Sequence, residues 1–423
     1  MKNVIVIGSG ISGLSISQML EKSFNVVILE KDEKIGGLIK CERIEGNLFH
    51  KVGGHVFNSK NNQVLEWFWK HFDRDAEFTM ARRNAKIFLE DRFIGYPIEN
   101  FLYQLSDDDI NTIIKELLSA LSIKNNDVSQ YNNFEDFLIG TFGKKLYEIY
   151  FGPYNTKIWN TDISKVPLEW LEGKLPMPQI EEIILNNIIK KDESTMVHAS
   201  FYYPKNEGSQ FIVNRLSEGL EIKSSFNVTK IAFDNFEKII VNDTLSCDEL
   251  IYCGDIRLLS ETIEIDDTEL NLALQEVLHL PSNGTSNVLC ETDETELSWL
   301  YLPEAKFKAH RIIYTGNFSD TNNSNGSRKT CVVEFSGIQS VEFMKKELSR
   351  LPGNLEMISY NQEENSYIIQ HEDTRAKIIK VKSLLKQYNI SLLGRFAEWE
   401  YYNMDKCIES ALVLEKELTL KYC

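Results

Sequence analysis

Long apolar runs are missing from this chain. No stretch reaches the roughly 18 apolar residues that a membrane-spanning helix needs, and a strand-like segment begins almost at the first residue, so neither a span nor a signal peptide is expected. Paired cysteines are missing too. The seven that occur (Cys41, Cys247, Cys253, Cys290, Cys331, Cys407 and Cys423) are odd in number and scattered, with no C-x-x-C. That argues against a structural metal and predicts reduced thiols in a cytoplasmic protein. Positive charge is scarce: 46 Lys and Arg stand against 63 Asp and Glu, a net charge of −17. Nucleic acid is therefore not expected as a partner, although a local basic pocket for an anionic small molecule is compatible with an acidic surface. There is no H-E-x-x-H, no nucleophile elbow, no paired metal ligands and no repeat. Lys144 and Lys145 follow Gly143 without the earlier glycine or the following Ser or Thr of a phosphate loop.

What is present begins at Val4. Val4 to Ile7 reads as a buried strand, Gly8, Gly10 and Gly13 stand in G-x-G-x-x-G spacing, Ile11 to Leu20 carries apolar residues at helical intervals, and Asn25 to Leu29 reads as a second strand ending at Glu30. Gly8 allows the tight turn, Gly10 lets the backbone approach a pyrophosphate, and Gly13 lets the helix sit close on the sheet. The free N–H groups at the helix start face the phosphates. Glu30 lies at the distance that suits a ribose hydroxyl and argues against a 2′-phosphate. Gly36 and Gly37 follow after a short polar link. That extension resembles the fingerprint of flavoproteins of the glutathione-reductase and amine-oxidase families, which implies FAD, with NAD as the alternative. The expected cofactor contacts here are Gly8, Gly10, Ile11, Ser12, Gly13, Glu30, Lys31, Gly36, Gly37 and Leu38.

At 423 residues the chain is long for one core, and two or three domains are expected. The pattern predicts an α/β protein. Residues 1–80 with 200–260 and 385–423 would form a discontinuous Rossmann-type domain. Residues 99–191, rich in helical periodicity, would form a helical insert with a loop at "SIKNNDVSQYNN". Residues 81–98 with 265–384 would form an antiparallel substrate sheet of about six strands. From about Ser200, "ASFYYP", "KIAFDN", "KIIVND", "ELIYCGD", "SNVLCET", "RIIYTGN" and "TCVVEFSG" read as strands of that antiparallel sheet, plus a piece rejoining the Rossmann sheet.

Six ordered stretches carry a more specific resemblance. They are "GGHVF" (Gly53 to Phe57), "GYPIEN" (Gly95 to Asn100), "GPYNTKIWNTDISKVP" (Gly152 to Pro167), "FYYPKNEGSQFIVNRLSEGL", "HRIIYTGNFS" (His310 to Ser319) and "GRFAEWEYYNMD" (Gly394 to Asp405). In order and along nearly the whole chain, they resemble the UDP-galactopyranose mutase family, and more loosely the amine-oxidase and protoporphyrinogen-oxidase-like flavoproteins. The resemblance implies surface-polysaccharide biosynthesis, in which a UDP-sugar ring opens and recloses at a different size with catalysis at a reduced FAD, so NAD(P)H or another reductant is implied as well. It assigns Arg311 to the substrate diphosphate, Tyr367 and Tyr401 to the same group, Tyr154 and Trp159 to the substrate side, and His55 to the flavin. Gly53, Gly54, Val228, Gly394, Arg395, Tyr402, Asn403 and Met404 fall where the family meets its cofactor.

Read without the resemblance, several of these residues have plainer roles. Arg311 lies in an apolar strand pattern, so if it points inward a ligand or an internal carboxylate must pair it. Tyr154 and Trp159 suit the core of a helical insert, and His55 suits a satisfied core histidine. Tyr401 and Tyr402 are adjacent, so on a strand only one faces the pocket; the family points to Tyr401. The sequence also departs from the family. A second arginine precedes the family's P-Y-N, and Gly152 stands there instead; the closing element is shorter; and "YIIQHED" lacks the family's prolines after the tyrosine. These departures keep open an FAD-dependent oxidoreductase of the amine-oxidase class on another substrate, and a flavin-binding protein without turnover.

Overall fold

The computed structural model describes residues 1–123, 131–168, 179–191, 200–234, 238–326 and 328–422. Its organising element is a strand, β1 (Asn3–Ile7), followed by a helix, α1 (Ile11–Leu20), and a strand, β2 (Asn25–Leu29). Val4 and Val6 pack against α1 and the C-terminal helix Met404–Tyr422, whereas Ile5 points into the core on the other face. A strand buried on both faces belongs in the middle of a parallel sheet. The five-stranded parallel sheet runs, in order, Ile390–Leu392, Glu249–Tyr252, β1, β2 and Glu221–Lys223. Its strands therefore come from the start, the middle and the end of the chain.

A second, seven-stranded sheet runs Glu356–Ile368, Ser282–Thr292, Lys329–Ser336, Ala309–Ile313, Trp299–Tyr301, Ala85–Leu89 and Arg92–Gly95. It is larger than the expected sheet and not wholly antiparallel. Trp299–Tyr301 lies parallel to Ala85–Leu89, because the hairpin that contains the latter precedes the helical region and meets the rest of the sheet across a long crossover. The remaining strand-like segments do not share one sheet. Ser200–Pro204 pairs with Phe78–Arg82, and Ile231–Phe233, Ile239–Val241 and Leu245–Cys247 form a separate meander.

The helices Asp107–Ile123, Phe134–Phe142, Gly152–Trp159 and Ile180–Ile188 make up the helical region. Asn133 caps one of them by accepting from the Asp136 N–H, and Phe134, Phe137, Leu138, Tyr150 and Tyr154 fill its interior. Most of the loop expected at "SIKNNDVSQYNN" lies outside the described residues. Among the described residues no helix is long and apolar enough to cross a membrane, and no cluster of metal-ligating side chains occurs.

Candidate active site

The glycine turn after β1 is built by close approach. A Cβ on Gly13 would stand 2.0 Å from the Gly8 carbonyl oxygen, so only glycine lets α1 lie this near the strand. The start of α1 has no side-chain cap, which leaves its N–H groups for a ligand. Three glycine segments converge there. A Cβ on Gly37 would be 3.1 Å from the Gly10 Cα, and one on Gly394 would be 2.6 Å from Ser12 Oγ. Glu30 is buried and closes the turn, accepting from the Ser9 and Asp32 N–H groups, each at 2.9 Å. Phe226 N–H donates to the Glu30 carbonyl, which brings the segment leading to Val228 beside the end of β2. Lys31 is exposed, Leu38 half-buried, and Ile11 packs into the core beneath the turn.

The loop Gly53–His55 crosses from this cradle to the seven-stranded sheet. A Cβ on Gly54 would come within 2.6 Å of Ile313, and one on Gly53 within 3.1 Å of Glu334 Oε2. The Gly53 N–H donates to Asn287 Oδ1 at 3.0 Å. The His55 Nε2 is buried without a hydrogen-bond partner, so this is not a satisfied core histidine. Burial pushes its pKa down to about 4; the charges of Arg395 and Arg311 act in the same direction, while Glu334 and the Leu38 backbone oppose them. The ring is therefore neutral at pH 7, with Nε2 buried and unpartnered.

Arg311 does point inward, and an internal carboxylate does pair it. Its Nη2 donates to Glu334 Oε1 and Oε2 at 2.9 and 3.0 Å and to the Tyr367 hydroxyl at 3.1 Å. Tyr367 donates in turn to Glu334 Oε1 at 2.8 Å, and His310 Nε2 lies 2.7 Å from the same oxygen. Burial alone would raise the Glu334 pKa, but Arg311 and then His310 outweigh it and hold the carboxyl well below the usual range. Arg311 keeps 25% of its side-chain surface although Glu334 keeps 1%, so the carboxylate anchors the guanidinium from behind and leaves part of it open.

Aromatic rings wall this arginine. Trp159 meets Tyr367 and Tyr401 edge-on at 5.6 and 5.4 Å, and Tyr401 stacks on Tyr367 at 5.8 Å. The Arg395 guanidinium sits 4.4 Å over the Tyr401 ring and donates to the Ser366 and Tyr402 carbonyls. Residues 401–403 form no strand: Arg395 holds the Tyr402 carbonyl in an irregular turn before the last helix. Tyr401 still faces the aromatic cluster. Asn403 is exposed, with its carbonyl accepting from the Cys407 N–H, and Met404 is buried under α1. Tyr154 and Trp159 are core residues of the helical region and wall members at once.

Glu334, His310, Asn287, Arg83 and Tyr301 were not singled out from the sequence. Glu334 is the most consequential of them. A glutamate inside the apolar run "TCVVEFSG" signals a buried charge that needs a cation, and Arg311 in the neighbouring apolar strand was the complementary signal.

Residues 6–72 match the NAD(P)-binding Rossmann-like domain family. A probable UDP-galactopyranose mutase from Klebsiella pneumoniae is 27% identical over 181 residues, which cover 42% of this chain and 45% of that one, so the match spans less than half of the relative. A UDP-galactopyranose mutase from Mycoplasma genitalium is 21% identical over 423 aligned positions, covering 96% of this chain and 92% of that one. A crystal structure of reduced UDP-galactopyranose mutase superposes with a TM-score of 0.87 at 21% identity, covering 99% of this chain and 96% of the other. At that identity the structural likeness is one of fold. The chain is thus similar in sequence to these mutases and shares the fold of the solved one.

Proposed function

We propose that the chain is an FAD-dependent nucleotide-sugar mutase of surface-polysaccharide biosynthesis, acting on UDP-galactopyranose or a close analogue. One observation carries this reading: a single half-open arginine, Arg311, anchored by buried Glu334 and flanked by the Tyr367 hydroxyl, lies across the glycine loop Gly53–Gly54 from the dinucleotide cradle. The cradle fits a dinucleotide: its uncapped helix start, its three converging glycine segments and the partnerless His55 Nε2 all leave polar room that a bound group would fill. Gly8 to Gly13, Glu30, Gly36 to Leu38, Gly53 to His55, Arg395 and Met404 would hold it. When bound and reduced, the flavin would supply the nucleophile for the anomeric carbon.

The protein's part is to bind, orient and exclude water. Arg311 offers its remaining N–H donors to phosphate oxygens, and its anchoring to Glu334 means that little side-chain freedom is lost on binding. Glu334 already accepts from Tyr367 and stays ionised, so the tyrosine hydroxyl is held in place beside the phosphate. Neutral His55 presents an acceptor at Nε2, which suits an N–H or O–H on the cofactor or sugar. Trp159, Tyr154 and Tyr401 exclude water around the leaving group.

The test is to reduce flavin-loaded protein with dithionite and follow UDP-galactopyranose and UDP-galactofuranose by chromatography. Interconversion that requires reduced flavin and fails in Arg311→Ala is expected. Bound flavin without interconversion would overturn the reading. Gly152 favours one alternative, an oxidoreductase of the amine-oxidase class, because the second family arginine is absent; hydrogen peroxide or a reduced acceptor formed without UDP dependence is its signature.

A further inference from the structure

Arg311 takes its direction from an irregularity in its own strand. In a regular strand adjacent side chains point to opposite faces, yet His310 Nε2 and Arg311 Nη2 both reach Glu334 Oε1, at 2.7 and 2.9 Å. The ladder explains this. Ala309 lies opposite Phe335 and Arg311 opposite Glu334, so two steps on one strand span one step on the other, and His310 is the extra residue. Such a bulge bends the strand and re-aims its side chains. On the strand's other edge the Leu302 N–H donates to the His310 carbonyl at 2.9 Å, which closes the turn 302–309.

Lys157 clasps that turn. Its Nζ donates to the carbonyls of Leu302, Glu304 and Phe307 at 2.6, 2.8 and 2.8 Å, and to that of Ala309 at 3.4 Å. An ammonium has three N–H donors, and here their acceptors all belong to the backbone of one turn. Among the described residues no carboxylate forms an ion pair with it: Glu304 pairs with Lys306 and Glu347 with Arg350. Burial pushes the Lys157 pKa down to about 8, with Lys308 acting in the same direction and Glu304 and Glu347 opposing, so the ammonium form still predominates at pH 7.

Lys157 stands on the helix Gly152–Trp159, between Tyr154 and Trp159 of the aromatic wall. A second polar tie follows at once, from Asn283 Nδ2 to the Ile158 carbonyl at 2.8 Å. The helix that walls the arginine is thereby fastened to the turn from which the arginine's strand starts.

Resting on the nucleotide-sugar reading above, we propose that Lys157 is a positioning residue for the diphosphate contact: by clasping the turn 302–309 it fixes the bulge at His310 and so aims Arg311. It acts through the arginine and not on the substrate. Truncating it leaves the carbonyls of Leu302, Glu304, Phe307 and Ala309 without their shared donor, and the bulge relaxes.

The experiment is calorimetric titration of the full-length protein with UDP at pH 7. Lys157→Ala is expected to bind UDP about tenfold more weakly than the wild type, as when one charge-assisted contact is lost. Ammonium or methylammonium chloride is expected to restore most of that affinity, because either ion brings N–H donors to the vacated carbonyls. Tetramethylammonium chloride at the same ionic strength brings none and is expected to restore nothing. In the Arg311→Ala background, Lys157→Ala is expected to cost no further affinity, since the lysine acts through the arginine. Should Lys157→Ala fail to fold, Lys157→Met keeps the buried stem and carries the same cycle with Arg311→Ala. An unchanged affinity in the lysine variant, equal recovery in tetramethylammonium, or a full additional loss beside Arg311→Ala overturns the assignment, while UDP binding by the wild type leaves the mutase reading standing. No UDP binding to the wild type overturns both.

Discussion

The Arg311 Nη2 donates to both carboxylate oxygens of Glu334, at 2.9 and 3.0 Å, from a strand that pairs directly with the one carrying the glutamate. The pair is asymmetric: the acid is 1% exposed and the arginine 25%. Such a geometry makes Glu334 a positioning group for a cation that does the binding. Glu334→Gln keeps the shape and removes the charge. It is expected to raise KM for the nucleotide sugar by about tenfold, the loss of one charge-assisted contact, with kcat less affected. Because the arginine is left half-paired, a stability loss of about 3 kcal/mol is expected in urea unfolding. A stability loss with KM unchanged would reduce Glu334 to a purely structural role.

Acid should destabilise this protein well before it neutralises ordinary carboxylates. Burial lowers the His50 pKa to about 3 and the His55 pKa to about 4, so between those values and the ordinary 6.5 each ring is neutral in the folded chain and protonated in the unfolded one. The unfolded state then binds more protons, and stability rises with pH in that window, by up to ~1.4 kcal/mol per pH unit for each histidine. Glu334 adds to this at lower pH: its depressed pKa contributes stability above the unfolded carboxylate value that is lost as pH falls below it. Glu99, its pKa raised to about 7 by burial, acts with the opposite sign over the same range, but one acid offsets only one of the two histidines, so urea midpoints measured from pH 7 down to 4 should still fall. A level midpoint from pH 7 to 5 would contradict the buried neutral state of both rings.

Two glycines of the first turn should separate binding from folding. A Cβ on Gly10 meets nothing nearer than the Gly37 Cα at 3.9 Å, whereas a Cβ on Gly13 would be 2.0 Å from the Gly8 carbonyl oxygen. Gly13→Ala must push α1 off the sheet and is expected to lower stability by ~1–3 kcal/mol. Gly10→Ala costs the protein little and blocks only what approaches from outside. It is expected to leave the unfolding midpoint unchanged while the flavin absorbance retained through gel filtration drops. Full flavin retention in Gly10→Ala would remove the pyrophosphate from that turn.

How much of this was legible in the sequence depends on the range of the signal. β1, α1 and β2 follow from local periodicity and glycine spacing, and their observed limits lie within a residue of the reading. The partnership of strands far apart in sequence does not. "KIAFDN" and "SNVLCET" look alike as apolar runs, yet one joins a small meander and the other lies within the large sheet, because pairing is decided by the packed whole. At the site, Arg311, Tyr367, Tyr401 and His55 were legible as unusual residues in ordered motifs, and the structure does bring them together. Glu334 was passed over: an acid inside an apolar run signals a buried charge, but that Arg311 is its cation is decided by the strand pairing. The turn at Tyr401 and Tyr402 was not legible for a related reason: Arg395 bends it through two hydrogen bonds to one backbone carbonyl that no residue pattern announces.

Gly152 sets the last prediction. It occupies the position at which the resemblance to the mutase family implies a second arginine, so placing that side chain there would seem the direct route to a tighter diphosphate site. The structure argues otherwise. Gly152 is buried at the start of the helix Gly152–Trp159, and a Cβ there would meet the Tyr147 ring at 2.8 Å. Tyr147 cannot simply swing away, because its hydroxyl donates to Glu135 Oε1 at 2.5 Å on the neighbouring helix. The ring has taken the volume through which an arginine would leave the helix. Gly152→Arg is therefore expected to destabilise the protein by ~1–3 kcal/mol, as overpacking does, and to leave UDP-galactose affinity no better than wild type. The double variant Gly152→Arg with Tyr147→Ala opens that volume and should recover stability relative to Gly152→Arg alone. If the single variant binds UDP-galactose more tightly at undiminished stability, the packing of Tyr147 does not determine what this position can hold.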